Sequence, residues 1–280
     1  MEKNLKNLLS SHGFSFKKNY GQNFLTDKAL LNEIVDLAGV SKEDNVLEIG
    51  VGAGALTKVL SLKAKQVIGY EIDEKLKPVL KEVLSENKNV DIIFKDVLKE
   101  DLKEIESRFK DGYYLVANLP YYITTPIILK FLEGSTKVKK LVVMVQEEVS
   151  ERLSACPGSK LYGALTVAIN LRGKARTIKR VPREMFTPSP NVDSAVVSID
   201  IDREKFDGLD LESVRNVVRA GFSSRRKMLV NNVINLFKLD REKAEKLLKS
   251  ADIDLNCRAE QLSAENFVKL AEKYKEITNE

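Results

Sequence analysis

Residues 45–57 read NVLEIGVGAGALT. Asn45 to Ile49 is an apolar run of strand length, Gly50-Val51-Gly52-Ala53-Gly54 is a glycine loop, and Ala55 to Leu62 has helical spacing. A strand is therefore predicted to turn straight into a helix. Glycines at such a turn permit positive φ and let a ligand lie against bare backbone at a helix N-terminus. The pattern is G-x-G-x-G, not the G-x-G-x-x-G of dinucleotide sites, so on this motif alone a plain tight turn stays open.

Outward from the loop, strand and helix patterns alternate. Asp27 to Leu37 is spaced as a capped amphipathic helix; Gln66 to Ile72, Val90 to Phe94, Tyr113 to Ala117 and Lys140 to Val145 are strand runs; Glu74 to Leu84 and Pro126 to Leu132 are helical. Such alternation predicts an α/β fold on a parallel, doubly wound sheet. After a turn-rich interval, VPREMFTPSPNVD, the alternation of Ser194 to Asp200 predicts a late edge strand. From about Glu204 only helical patterns remain: Leu211 to Gly221, Arg225 to Phe237, Arg241 to Lys249 and Ala264 to Ile277. Residues 1–203 are thus expected to form the main domain and 204–280 a small all-α domain.

The 280 residues are 43% hydrophobic and 31% charged with no low-complexity tract, which is the composition of a folded chain. No apolar run nears the roughly 20 residues that span a bilayer. The opening MEKNLKNLLSSHGFSFKKNYG has neither the apolar stretch nor the cleavage site of a secretory signal. A cytoplasmic protein without membrane contact is expected. Cys156 and Cys257 cannot make a disulfide framework, and with His12 the only histidine no zinc-ligand spacing exists, so no metal is expected. A Ser-His-Asp or Cys-His engine would have to rest on His12. The net charge is +5. Lys3, Lys6, Lys17 and Lys18 stand against Glu2 near the start, and Arg225, Arg226 and Lys227 form a second cluster suited to phosphate, or else to solvated surface. From Glu204 onward 15 Lys+Arg meet 14 Asp+Glu, so any nucleic-acid surface there is local.

Acids recur at the ends of the predicted strands. Glu71 stands 21 residues beyond Gly50, where a carboxylate can accept from both hydroxyls of a ribose. Asp96 follows the next strand and can accept from an adenine amine. A helix cap at Glu71 and an ordinary turn at Asp96 are the alternatives. After the fourth strand comes Asn118-Leu119-Pro120-Tyr121-Tyr122. An amide oxygen and a main-chain carbonyl held by proline can take both hydrogens of an exocyclic amine while a ring stacks on the base. Bonds that favour a pyramidal nitrogen localise its lone pair toward an electrophile. A strand end with a proline turn is the structural alternative.

Tyr20-Gly21-Gln22-Asn23-Phe24-Leu25, Leu47 to Thr57, and Asn118 to Pro126 (NLPYYITTP) resemble motifs of the ribosomal RNA adenine dimethyltransferases of the KsgA type. So do Met144 to Arg152, Pro157 to Gly163, Phe186 to Val197 (FTPSPNVDSAVV) and Phe222 to Asn232 (FSSRRKMLVNN). The resemblance covers nearly the whole chain. It implies a class I (Rossmann-like) methyltransferase that uses S-adenosylmethionine to make N6,N6-dimethyladenosine at two adjacent adenosines near the 3′ end of 16S rRNA in the 30S particle. The cofactor contacts it implies are Asn23, Leu25, Gly50, Gly52, Glu71, Ile72, Asp96, Val97 and Asn118. The catalytic set is Asn118, Leu119, Pro120 and Tyr121, with Phe186 on the other face of the base. Core packing is the alternative reading of Phe186. Arg225, Arg226 and Lys227 fall where the family holds RNA, and a monomer is expected. Val51 departs from the proline usual in relatives, a swap that a main-chain-lined loop tolerates at some loss of rigidity.

Two other enzymes share the chemistry. The Erm type modifies large-subunit RNA, but Gly21, the Leu119 form of the Asn-x-Pro-Tyr motif, the TTP that follows and Arg225-Arg226-Lys227 sit closer to the KsgA type. A DNA adenine methyltransferase is disfavoured because the matched motifs run well beyond the tetrad. A non-catalytic ribosome-assembly factor on the same fold would have eroded Gly52, Glu71 or Asn118, and all three are present.

Overall fold

The computed structural model describes residues 23–25, 27–205 and 208–278. His12, the early lysines, Gly21 and Gln22 lie outside them. Along the described chain run β1 (Phe24–Leu25), α1 (Lys28–Ala38), β2 (Asn45–Ile49), α2 (Ala55–Lys63), β3 (Gln66–Glu71), α3 (Lys77–Val83) and β4 (Val90–Phe94). Next are α4 (Leu102–Ser107), β5 (Tyr113–Asn118), α5 (Tyr121–Gly134), β6 (Val138–Gln146), α6 (Glu147–Leu153) and α7 (Ala164–Asn170). β7 (Gly173–Val181), β8 (Phe186–Thr187) and β9 (Ser194–Ile201) precede four helices, α8 (Leu211–Phe222), α9 (Leu229–Phe237), α10 (Arg241–Ser250) and α11 (Ala264–Thr278).

Seven strands form the main sheet in the order β4-β3-β2-β5-β6-β9-β7. The first five are parallel, as expected, but β9 runs antiparallel to β6, so the sheet is mixed. β9 is also not the edge. It lies between β6 and β7, and its first six residues are buried because Ser194 and Ser198 are small enough to sit inside the layer. The outer strand is β7, whose GKARTIKRV sequence has the charge that protects an exposed edge. Apolar residues of α1 (Leu30, Ile34, Val35) pack on the sheet with Val46, Val116 and Val142, while Phe24, Val51, Leu76 and Leu80 pack around the glycine loop.

Helix α5 starts at Tyr121, ahead of the expected Pro126, which lies inside it. An interior proline costs about 3 kcal/mol. Burial of Ile127, Ile128, Phe131 and Leu132, at about 1.5–3 kcal/mol each, outweighs that cost.

The chain packs as two units, and their boundary differs from a single cut at residue 203. The α/β unit runs to Ser150 and takes in Arg176–Ile201; Glu151–Ala175 joins Asp202 onward. Tyr162, Val167 and Leu171 of the first segment share one core with Val217, Leu229, Leu247 and Phe267.

Candidate active site

Parallel strands put their C-terminal ends on one edge, and there the chain gathers its polar groups. Gly50 and Gly52 take φ of +78° and +58°, which side chains rarely adopt. The Gly50 N–H donates to the Tyr70 carbonyl at 2.8 Å, tying the loop to β3. A Cβ on Gly52 would stand 2.8 Å from the Phe24 ring, so the loop backbone lies flush against β1.

Glu71, the last residue of β3, has a duty that spacing did not reveal. Its Oε2 accepts from the Gly52 N–H at 2.8 Å, and Oε1 accepts from the N–H groups of Ile72 (2.8 Å) and Asp73 (2.9 Å). The carboxylate splints the glycine loop. Burial raises its pKa even against those three bonds, which favour the charged form. Asp96 lies two residues past β4, and its Oδ1 accepts from the Leu98 N–H at 3.0 Å.

Asn118 ends β5 opposite Met144. Its Nδ2 donates to the Asn23 carbonyl at 3.4 Å, an orientation that leaves Oδ1 as an acceptor. Pro120 caps α5 in extended geometry, and Tyr121 follows in its first turn. The Tyr121 hydroxyl is bonded to Ser194 Oγ at 2.9 Å. β1 and β8 pair antiparallel, Leu25 opposite Phe186, and so bring Asn23 and Phe186 to the same edge. The Phe186 side chain is buried, packed in the core cluster with Leu25 and Leu31 where it also lines the site.

All thirteen residues expected to hold cofactor or base line one cavity of about 340 Å³: Asn23, Leu25, Gly50, Gly52, Glu71, Ile72, Asp96, Val97, Asn118, Leu119, Pro120, Tyr121 and Phe186. Ile72 and Tyr122 are its exposed apolar rim.

The cavity has a further wall residue, Glu48, which sequence reasoning missed. It sits in β2 with 1% of its surface exposed, and burial pushes its pKa to about 8, with the neighbouring Glu71 adding to the rise. The available signal was an acid inside an otherwise apolar strand. Ser194 carried a weaker one, a hydroxyl within a buried alternating run. Among the described residues, no group of His, Cys, Asp and Glu could hold a metal ion, and no helix is long and apolar enough to cross a membrane.

In the helical unit, Arg225, Arg226 and Lys227 precede α9 in a turn instead of beginning the helix. Nη2 of Arg225 donates to the carbonyls of Lys160 (2.7 Å) and Tyr162 (3.0 Å) and to Glu260 (3.2 Å). Buried Asn232 holds the turn through the carbonyls of Gly221 and Ser224. Arg226 and Lys227 stand exposed beside it.

A parallel-edged sheet with a glycine loop, an acid on each of two successive strand ends and Asn-Leu-Pro-Tyr at the next defines a class I methyltransferase. The pattern of the ribosomal RNA adenine dimethylases matches residues 13–276. The ribosomal RNA small subunit methyltransferase A of Bacillus licheniformis is 44% identical over 279 residues, 97% of this chain and 96% of that protein. Its Bacillus mycoides counterpart is 46% identical over 274 residues, 95% and 94%. A crystal structure of a dimethyladenosine transferase from Plasmodium falciparum superposes with a TM-score of 0.78 at 27% identity, over 90% of this chain and 98% of that one. The 23S rRNA methyltransferase ErmE gives 0.71 at 26%, over 90% and 100%. The chain belongs to the ribosomal RNA adenine dimethylase family and is a methyltransferase.

Proposed function

We propose that the protein dimethylates the N6 amines of two adjacent adenosines in the hairpin loop near the 3′ end of 16S rRNA, within the 30S particle or its precursor, with S-adenosylmethionine as methyl donor. The observation that carries the reading is the meeting of Glu71, Asp96 and Asn118 in one cavity between the glycine loop and Tyr121. That cavity fits the donor on two counts. The glycine loop leaves a backbone cradle with no room for a Cβ at Gly52, and Glu48 Oε2 is a buried acceptor without a partner among the described residues. Glu71 would hold the ribose, Asp96 the adenine amine, and Asn23, Leu25, Gly50, Gly52, Ile72 and Val97 the remainder. When bound, S-adenosylmethionine supplies an activated methyl group.

The chain's own work is capture and alignment. The target adenosine must leave its stack, at a cost of a few kcal/mol. Tyr121, with Phe186 opposite on the other face of the base, offsets about 1–3 kcal/mol of it by stacking. Asn118 Oδ1 and the Leu119 carbonyl ahead of Pro120 accept the two amine hydrogens and turn the nitrogen lone pair toward the donor. Arg226 and Lys227 contact RNA phosphates from the helical unit. A monomer working in the cytoplasm and contributing to small-subunit biogenesis completes the reading.

The test is transfer of tritiated methyl onto small-subunit particles from a strain lacking the modification, with large-subunit RNA as control. Label in the small subunit alone, and a fall of about a hundredfold in single-turnover rate for Asn118→Ala, is the expected result. Label on the large-subunit RNA would instead favour an Erm-type activity.

A further inference from the structure

Glu48 is an acid in the wrong solvent. It lines the cavity from the middle strand of the parallel edge, is 1% exposed, and among the described residues its Oε2 has no hydrogen-bond partner. Its neighbour Glu71 is a second buried acid, and the fully buried Thr57 hydroxyl is likewise without a partner among the described residues. The other titratable groups facing the cavity are Tyr70 beneath the loop, Lys95 and Asp96 after β4, and Tyr121 and Tyr122 on α5. None is ion-paired with Glu48. An ionised carboxylate with no cation partner among the described residues is costly to hold in such a place, which favours the neutral acid when the cavity is empty. The donor assigned above carries a net positive charge.

We propose that Glu48 carries a proton in the free protein and releases it when S-adenosylmethionine enters, so that donor binding is coupled to proton loss at this residue. The inference rests on the donor assignment of the proposed function. It makes Glu48 a positioning group for the cationic donor and links loading of the enzyme to pH. The raised pKa, about 8, agrees with this geometry. Near pH 7 the free carboxyl is mostly protonated, and a bound, ionised one has given up close to one proton. Donor affinity then rises with pH by up to about tenfold per unit and levels off above about 8.

The free protein's own stability moves the other way. A carboxyl raised from 4.5 to about 8 contributes stability that is complete below 4.5 and lost as pH climbs through 8. The melting temperature of the free protein should therefore fall over that range, and Glu48→Gln, an isostere of the neutral acid, should flatten the fall.

The experiment is titration calorimetry of S-adenosylmethionine into the wild-type protein and Glu48→Gln, each at pH 6, 7 and 8 in two buffers of unlike ionisation enthalpy. The donor's own amine titrates near pH 8, so the wild-type minus variant difference counts the protons of Glu48. The expected difference is close to one proton released at pH 7, with affinities that converge at pH 6 and separate toward pH 8. Normal wild-type binding with no proton released, or equal release by the variant, would overturn the inference while leaving the donor assignment intact. Absence of any binding isotherm in the wild type would overturn the donor assignment itself. If Glu48→Gln failed to fold, the buffer dependence of the wild-type enthalpy alone would still decide: none at pH 7 refutes proton release.

Discussion

Removal of the Glu71 side chain takes away more than a ribose acceptor, because the same oxygens hold the N–H groups of Gly52, Ile72 and Asp73. Glu71→Ala should therefore weaken S-adenosylmethionine binding by at least about 1.5–3 kcal/mol, the range for bonds to a charged group, and lower the melting temperature as well. Asp96→Ala should cost less affinity, since it loses one bond to an adenine amine. Calorimetry on both variants, with thermal denaturation alongside, separates the two duties; unchanged affinity for Glu71→Ala would refute the assignment. Tyr121→Phe is the complementary case. It keeps the stacking ring, so methylation should change little. It strands the buried Ser194 hydroxyl, however, which should cost about 1–3 kcal/mol of stability in denaturant titration. The contacts of Glu71 with backbone illustrate what residue spacing conveys and what it does not. Spacing placed the acid at a strand end, but a backbone N–H leaves no trace in a one-letter code.

At the scale of elements, the glycine loop depends on the strand beneath it. A Cβ on Gly69 in β3 would come within 2.5 Å of Val51 Cγ2 and 2.7 Å of Ile92 Cδ1. Gly69→Val should push Val51 and the loop outward, reducing donor affinity at least tenfold with the sheet still formed; circular dichroism and calorimetry read the two separately. The elements that build the cavity were largely legible, because β2 to β6 carry apolar runs between helical patterns. β1, α4, α6, α7, β7 and β8 were not, β7 because its charged residues leave no apolar run. Two-residue strands and seven-residue helices are too short for periodicity to register. The start of α5 was misplaced for a different reason: proline ordinarily opens a helix, and only tertiary burial makes an interior one affordable.

For the whole molecule, a basic trio read as one unit divides into a structural tie, Arg225, and two exposed cations, Arg226 and Lys227. Arg226→Ala with Lys227→Ala should flatten the salt dependence of particle binding by roughly 1.5 in log-log slope. Arg225→Ala should instead lower the melting temperature of the helical unit, since it frees the carbonyls of Lys160 and Tyr162. A salt slope unmoved by the double variant would return those side chains to solvated surface. The composition change at about Glu204 marked the return to helical packing, but Glu151–Ala175 carries mixed patterns and its membership of the helical unit rests on long-range burial. The pairing of Phe24–Leu25 with Phe186–Thr187 has a consequence for synthesis. The ribosome delivers the chain from its N-terminus, and one strand of this pair emerges near the outset while the other follows almost the entire α/β unit. Asn23 and Leu25 must wait for Phe186, so a stalled nascent chain should begin to retain donor only after Thr187 has cleared the exit tunnel.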